Sequence, residues 1–307
     1  SSDLEESLHK DNNTSFNQMT EGPITKAILM FAFPILIGNI FQQFYNVADT
    51  AIIGHILGDH SLAAVGASAS IYNLIIGFAY GITNGFSVIV ARYFGAKDKI
   101  NLKKSVAWSY VLTMCIAMIL TIGSTVVLHP LLKALSTPDD IIGDTENYLR
   151  IIIICSVVTC FYNMLSGLMR AIGNSKMPLV FLIISSIINV LLDYMFIRYF
   201  GLGVAGAAYA TVISQVISVI LCFTYIYTKS RELAFELSGL TKDKDMVKDL
   251  ISMGLSMGLM LVVVSIGCAN SITGIRTAKR TNNLFFISLC FVYFSENILY
   301  LFRFLIH

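Results

Sequence analysis

Two aspartates, Asp49 and Asp193, stand inside long apolar stretches of the sequence, and Asn189 precedes Asp193 by one helical turn. A carboxylate near the middle of a membrane costs at least about 2.5–3.5 kcal/mol, so such a residue is a functional candidate by default. Carboxylate and amide oxygens are suitable ligands for a hard monovalent cation. Two carboxylates held close together in a dry site would alternatively share one proton.

Three predicted helices place polar residues at a similar depth. The first carries four of them on one face, because steps of three and four residues return to the same side of a helix: Asn39, Gln42, Asn46 and Asp49. The fifth carries Asn189 and Asp193, and the sixth carries Thr211. At 1.5 Å per residue, Asp49, Asp193 and Thr211 all lie roughly 7–12 Å below the outer helix ends. The spacing therefore predicts a shared cation or proton site.

Simpler explanations exist for each of these residues. Asp49 alone could lie at the membrane interface and face water. Asp193 and Asn189 could form a structural hydrogen bond between helices. The common depth of the three helices favours the shared site over both.

The composition indicates what kind of helices position these residues. The chain of 307 residues is 56% hydrophobic and 13% charged, against about 25% charged residues in soluble domains. This indicates an all-α integral membrane protein. Runs without charge that are long enough to cross a bilayer fall at 27–48, 61–91, 105–128, 151–169, 177–192, 199–228 and 250–275, with a weaker run at 281–295.

The distribution of basic residues predicts the orientation. Loops on one side of the predicted spans collect 14 Lys and Arg residues and loops on the other side collect 3. Since basic loops stay in the cytoplasm, the N-terminus and the 229–249 linker are predicted to be cytoplasmic. The segment after the seventh span breaks the pattern, because Arg276, Lys279 and Arg280 would lie outside.

We interpret the remaining sequence features as structural. The six cysteines lie in or beside apolar stretches without a paired spacing, and we interpret them as packing residues. Residues 1–18 are polar and are predicted to be a disordered extension. Gly66, Gly77, Gly81 and Gly85 in the second span favour close helix packing or a bend. Pro34 should bend the first helix, either as a moving part or as a static kink.

A weak internal repeat adds a hint of architecture. "KAILMFAFPILIG" (26–38) and "KDLISMGLSMGLM" (248–260) share a leading Lys and apolar residues at matching offsets. Both begin on the same side, six spans apart, which is typical of transporters built from two parallel halves.

Four segments resemble the multidrug and toxic compound extrusion (MATE) transporters of bacteria. They are "FPILIGNIFQQFYNVADTAIIG" (33–54), "VARYFGAKD" (90–98), "GLMRAIGNSKMP" (167–178) and "GVAGAAYATVISQ" (203–215). The resemblance covers residues from about Met19 to Gly267. It implies an inner-membrane antiporter of a prokaryote that exports cationic and amphipathic small molecules in exchange for Na⁺ or H⁺, with no other cofactor.

The resemblance also implies roles for individual residues. The family's ion site falls on Asp49, Asn189, Asp193 and Thr211, and its bending proline falls on Pro34. Candidate cavity-lining residues are Gln42, Asn46, Tyr72 and Asn163, although ordinary helix packing explains Tyr72 and Asn163 equally well.

The chain departs from the family in its length. Family members have twelve helices in two lobes, whereas this sequence supplies a six-helix lobe (19–228), the linker, the start of a seventh helix (250–267) and a tail (268–307) unlike the family. We therefore expect a frameshift or truncation near Gly267. A single lobe would not transport unless it dimerises, so a non-transporting membrane fragment is an alternative.

Two other functions fit less well. An intramembrane aspartyl protease needs Tyr-Asp and Gly-x-Gly-Asp motifs, whereas this chain has Leu192-Asp193 and places Gly58-Asp59 and Gly143-Asp144 in loops. We therefore expect a transporter and not an enzyme. A lipid-linked oligosaccharide flippase of the same superfamily would need a lumen lined by cationic residues, which the predicted spans lack.

Overall fold

The computed structural model describes residues 24–134, 138 and 140–277, and all regular structure among them is helical. The all-α prediction is therefore confirmed. The 1–18 extension, the weaker run at 281–295 and the basic residues Lys279 and Arg280 lie outside the described residues.

Eight α-helices form the described part of the chain. They are α1 (Ile24–Leu57), α2 (Asp59–Gly95), α3 (Lys99–Ala134), α4 (Ile142–Ile154), α5 (Ser156–Ala171), α6 (Lys176–Tyr194), α7 (Gly203–Lys229) and α8 (Lys244–Thr277). A π-helical turn, Met195–Tyr199, extends α6. The linker between α7 and α8 contains two 3₁₀ turns, Arg231–Leu233 and Leu237–Gly239.

The predicted span at 151–169 falls on two helices, α4 and α5. A break at Cys155 separates α4 from α5, and the two helices meet at an angle of 51°. By length and composition, five of the described helices could each cross a membrane, or six if α4 and α5 form one broken span. The fifth, sixth and seventh predicted spans correspond to α6, α7 and α8.

α1 is not among those helices, although its 34 residues make it long enough to cross. Its second half carries the polar residues Asn39, Gln42, Asn46 and Asp49. The helix continues through Pro34, whose side chain is buried. Beyond Pro34, Gly38 lies against Leu179 and Leu182, so α1 packs closely on α6.

A single residue turns the chain from α1 into α2. Gly58 has φ +83°, a left-handed conformation that strains any residue with a β-carbon. Its N–H donates to the carbonyl of Gly54 and its own carbonyl accepts from the N–H of Leu62. The turn fixes the C-terminal end of α1 beside the N-terminal end of α2.

Two apolar clusters occupy opposite ends of the bundle. One surrounds the C-terminal end of α1 and includes Ile53, Leu132, Tyr148, Ile197 and Val204. The other, at the predicted cytoplasmic end, includes Val90, Val106, Leu168, Phe181 and Ile226. The polar residues of the predicted ion site therefore lie beneath an apolar layer.

Some of the cysteines and glycines are buried in helix contacts, and others are not. Cys160 and Cys222 are buried as expected, whereas Cys115 is exposed; these three and Cys155 are free. A β-carbon at Gly66 or Gly77 would meet no atom within 4 Å, whereas Gly81 and Gly85 contact the backbone of α8. Only the second pair of glycines in α2 is therefore required for close packing.

Candidate ion-binding site

Asn189 links α6 to α7 at the centre of the predicted site. In the amide orientation that satisfies both of its ends, Nδ2 donates to Oδ2 of Asp193 at 2.9 Å and Oδ1 accepts from the backbone N–H of Thr211 at 3.1 Å. The Thr211 hydroxyl donates to the carbonyl of Ala207 at 3.0 Å, so its lone pairs remain available to a ligand. The π-turn after Asp193 keeps α6 helical up to Tyr199, and Asp193 therefore remains well below the end of the helix.

Asp49 approaches Asp193 from α1. The two carboxylates lie close enough for their charges to interact. Among the described residues, Oδ1 of Asp49 and Oδ1 of Asp193 are buried atoms without a hydrogen-bond partner. Two facing ionised carboxylates, each with an unpartnered buried oxygen, would repel each other, and a cation or a shared proton would relieve that repulsion.

The site is shielded from solvent. Asp193 is 0% exposed, Asn189 1%, Thr211 7% and Asp49 9%. Apolar residues of α1, α7 and the π-turn cover its outer side: Ile53, Ile197, Val204, Ala207 and Ala208. A charge in such a site interacts far more strongly with its neighbours than it would in water.

Three tyrosines surround the carboxylates, and sequence reasoning missed two of them. The hydroxyl of Tyr45 lies 3.5 Å from Oγ1 of Thr211. Tyr72 and Tyr148 lie close enough to Asp49 to feel its charge. The spacing of one turn between Tyr45 and Asp49 was the available signal, but an aromatic residue at helical spacing is more often a packing residue.

The structure buries only part of the polar face predicted for α1. Asp49 points into the bundle, whereas Gln42 and Asn46 are exposed. Asn46 lines an open cavity of about 630 Å³ between the C-terminal end of α1 and the N-terminal end of α2, together with Thr50, His55, Asp59 and apolar neighbours. Tyr72 and Asn163 are half-buried, on α2 and α5. The structure thus brings together Asp49, Asn189, Asp193 and Thr211, and places Gln42 and Asn46 outside that group.

The donor set fits a monovalent cation. Two carboxylates and a hydroxyl offer oxygen ligands, which hard cations prefer, while the Asn189 amide donates to Asp193 and holds it in place. The same pair of carboxylates would hold a proton between them in the absence of a metal ion. The residues present are therefore consistent with either Na⁺ or H⁺.

Comparisons with known proteins identify the family. The MatE family model matches residues 34–195. The chain is 28% identical over 250 residues to the probable multidrug resistance protein YoeA of Bacillus subtilis, covering 79% of this chain and 54% of that protein. It thus spans about half the length of the curated relatives it matches.

Solved structures of MATE transporters share the fold. An outward-facing multidrug resistance MATE family transporter matches with a TM-score of 0.76 and 27% identity, over 82% of this chain and 56% of that one. An inward-facing MATE structure matches with a TM-score of 0.68 and 28% identity, over 73% of this chain and 51% of that one. Since the family model covers more than half of the chain, this multi-pass membrane protein belongs to the MatE family of transporters.

Proposed function

We propose that this chain provides the ion-coupling lobe of a multidrug efflux antiporter that exports cationic and amphipathic small molecules in exchange for Na⁺ or H⁺. The observation that carries the proposal is the pair of buried carboxylates, Asp49 and Asp193, each with an unpartnered oxygen. The name of the Bacillus relative supports export of drugs. The geometry supports coupling to a cation, because such a pair needs a positive charge or a proton.

Ion binding would change how tightly three helices pack. With the cation present, Asp49 on α1 and Asp193 on α6 are drawn together and Thr211 on α7 supplies a further ligand. When the cation leaves, repulsion between the carboxylates favours a movement of α1 away from α6. Pro34 lies in α1 fifteen residues before Asp49, and we propose that the helix bends there, because proline leaves one backbone carbonyl without its helical partner.

Transport requires a second half in addition to this lobe. Alternating access moves two lobes about a central site, whereas this chain spans about half the length of its relatives. We therefore propose that transport occurs in an assembly of two lobes, for which a second copy of the chain is one candidate. The assembly lies in the plasma membrane of a prokaryote, with the N-terminus in the cytoplasm, as the basic loops predict.

Drug tolerance of efflux-deficient bacteria tests the proposal. Cells that express the chain should tolerate higher concentrations of cationic dyes, and Asp49→Asn and Asp193→Asn should each abolish the gain. Asp245→Asn is the matched control, because it removes an exposed carboxylate far from the site. If cells that express either site variant tolerate the dyes as well as cells that express the parent chain, the ion-coupling role is disproved.

A further inference from the structure

Arg170 turns its guanidinium group toward the interior of the bundle. It stands one residue before the end of α5, a position from which an arginine ordinarily extends outward to the membrane surface. Its Nη2 instead donates to the side-chain oxygen of Asn84 on α2 at 3.1 Å, and Asn84 is 6% exposed. Tyr162 and Cys222 lie close enough to feel the arginine charge. The positive charge therefore lies among α2, α5 and α7.

Contacts between α2 and α5 show how far inward this side chain reaches. The two helices run in the same direction, and Gly167 of α5 lies against Ser87 of α2. Arg170 follows Gly167 by three residues, so its backbone is level with the residue that follows Ser87 by three. Asn84 precedes Ser87 by three residues, and the guanidinium group therefore reaches back by about six residues, or roughly 9 Å, toward the middle of the bundle.

Other basic residues at the predicted cytoplasmic end have carboxylate partners. Lys104 of α3 pairs with Asp243 of the linker at 3.1 Å. Nearby, the indole N–H of Trp108, the only tryptophan of the sequence, donates to the carbonyl of Thr241 at 3.1 Å. Among the described residues, no Asp or Glu lies within ion-pair distance of Arg170. A cation held away from water without a counter-charge costs free energy, so the inward orientation of Arg170 indicates a role beyond packing.

A row of buried side chains leads from the ion site toward this charge. Four residues that recur at steps of three or four on one face of α7 are 0–7% exposed: Thr211, Ser214, Ser218 and Cys222. Beside them, Gln215 accepts a hydrogen bond from the hydroxyl of Thr159 on α5. Cys222, which feels the charge of Arg170, follows Thr211 by eleven residues, or roughly 16 Å. We call these residues of α7, together with Thr159 and Gln215, the polar row.

The polar row creates a risk for a cation-coupled transporter. A cation or a proton, with the water that accompanies it, crosses an apolar interior at least cost where polar side chains are available. A cation that passed from the ion site along α7 to the cytoplasm would dissipate its gradient without moving a substrate. A fixed arginine opposes such passage by repulsion, as arginines do that exclude cations and protons from selective pores.

We infer that Arg170 is an electrostatic barrier at the cytoplasmic end of the polar row, and that Asn84 holds its guanidinium group in the path of the coupling cation. Two like unit charges about 4 Å apart, at an effective dielectric constant of about 20, repel strongly enough to slow passage by on the order of 10²–10³-fold. The inference rests on the proposed function, because only a cation-coupled transporter needs this barrier. Arg170 thereby keeps the coupling tight without binding the ion.

Passive ion entry into liposomes tests the barrier. The purified chain is reconstituted with a sodium-sensitive dye or a pH-sensitive dye inside, and a potassium diffusion potential, negative inside, drives cations inward. Arg170→Gln should raise the rate of sodium or proton entry by roughly tenfold or more, since water screens only part of the lost repulsion. Arg170→Lys keeps the charge and should remain as tight as the parent. Arg150→Gln is the matched control, because it removes an arginine of α4 whose side chain is 55% exposed and paired with Glu146.

A second variant reaches the same charge without removing the arginine. Asn84→Asp places a carboxylate beside the guanidinium group at nearly unchanged volume, so it should also raise ion entry by neutralising the charge. If Arg170→Gln does not fold, Asn84→Asp alone decides. Adding Asp193→Asn to either variant should abolish the increase, because the polar row begins at the ion site.

The inference is overturned if the folded Arg170→Gln and Asn84→Asp proteins admit sodium and protons no faster than the Arg150→Gln control. It is also overturned if Arg170→Lys leaks as fast as Arg170→Gln, or if the increase survives the addition of Asp193→Asn. Failure of the proposed ion site is read separately, as a parent melting temperature that responds to neither sodium nor pH.

Discussion

Replacing Asp193 by Asn should uncouple the stability of the protein from the coupling ion. The variant keeps the shape of the side chain but removes one of two facing charges in a site that is 0–9% exposed. Two unit charges 4 Å apart interact by about 4 kcal/mol at an effective dielectric constant of 20. Since about 1.4 kcal/mol is tenfold in affinity, loss of one carboxylate should weaken cation binding by on the order of 10²–10³-fold.

The effect on stability should change sign with conditions. Without sodium and at alkaline pH, the variant should be more stable than the parent, because it no longer holds a repelling pair of buried charges. At a sodium concentration 100-fold above the dissociation constant, the parent gains about 2.7 kcal/mol from binding, which the variant lacks. In acid, a proton neutralises the pair in the parent, and the two proteins should converge.

Thermal unfolding of detergent-purified protein measures this reversal across series of sodium concentration and pH. Asp245→Asn controls for the loss of an exposed carboxylate and should follow the parent in every buffer. A parent melting temperature that stays constant across both series would refute the reasoning. So would Asp193→Asn protein that keeps the full response of the parent to sodium.

Three further predictions concern single contacts. Thr211→Val removes the hydroxyl near Tyr45 and should weaken sodium binding by roughly tenfold, as a lost hydrogen-bonding ligand costs about 1–1.5 kcal/mol; isothermal titration with sodium measures it. Gly239→Ala would place a methyl group 2.7 Å from the carbonyl oxygen of Lys103 and should destabilise the protein by about 1–3 kcal/mol; thermal unfolding checks this, with Gly143→Ala as the unhindered control. The backbone N–H of Met246 and the ammonium group of Lys104 lower the pKa of Asp243. The ionised Asp243 side chain therefore anchors the linker fully above the ordinary aspartate pKa of about 4, and this contribution is lost as pH falls through the lowered pKa. Asp243→Asn should therefore shift Trp108 emission at neutral pH but not in strong acid.

The sequence alone predicted that the four residues of the candidate site lie near one another, and the structure brings them together. Each lies in a helix with constant rise, so counting residues from the helix ends gave the depth of Asp49, Asp193 and Thr211, and helical spacing placed Asn189 beside Asp193. Burial of carboxylates in an apolar run was the signal. Tyr45 gave no such signal, because a tyrosine costs little to bury and packs in many helices without a functional role.

The break at Cys155 and the partner of Gly81 and Gly85 were beyond sequence reasoning. No Gly or Pro marks the break, and an apolar run reads the same whether it forms one helix or two. The glycines of α2 indicated close packing with another helix, but many apolar helix faces could have been the partner. The linker before α8 contacts α3 through Lys103–Glu236 and Lys104–Asp243, and such pairs between distant residues cannot be read from the sequence.

The distance along the chain between α2 and α8, which pack through Gly81, Gly85, Gly254 and Gly258, has a consequence for biosynthesis. Chains are synthesised from the N-terminus, so α2 enters the membrane well before α8, and five helices from α3 to α7 are made between them. During that interval Gly81 and Gly85 face lipid or another partner instead of α8. Until α8 is made, lipid or a neighbouring helix must therefore cover the face of α2 that carries Gly81 and Gly85.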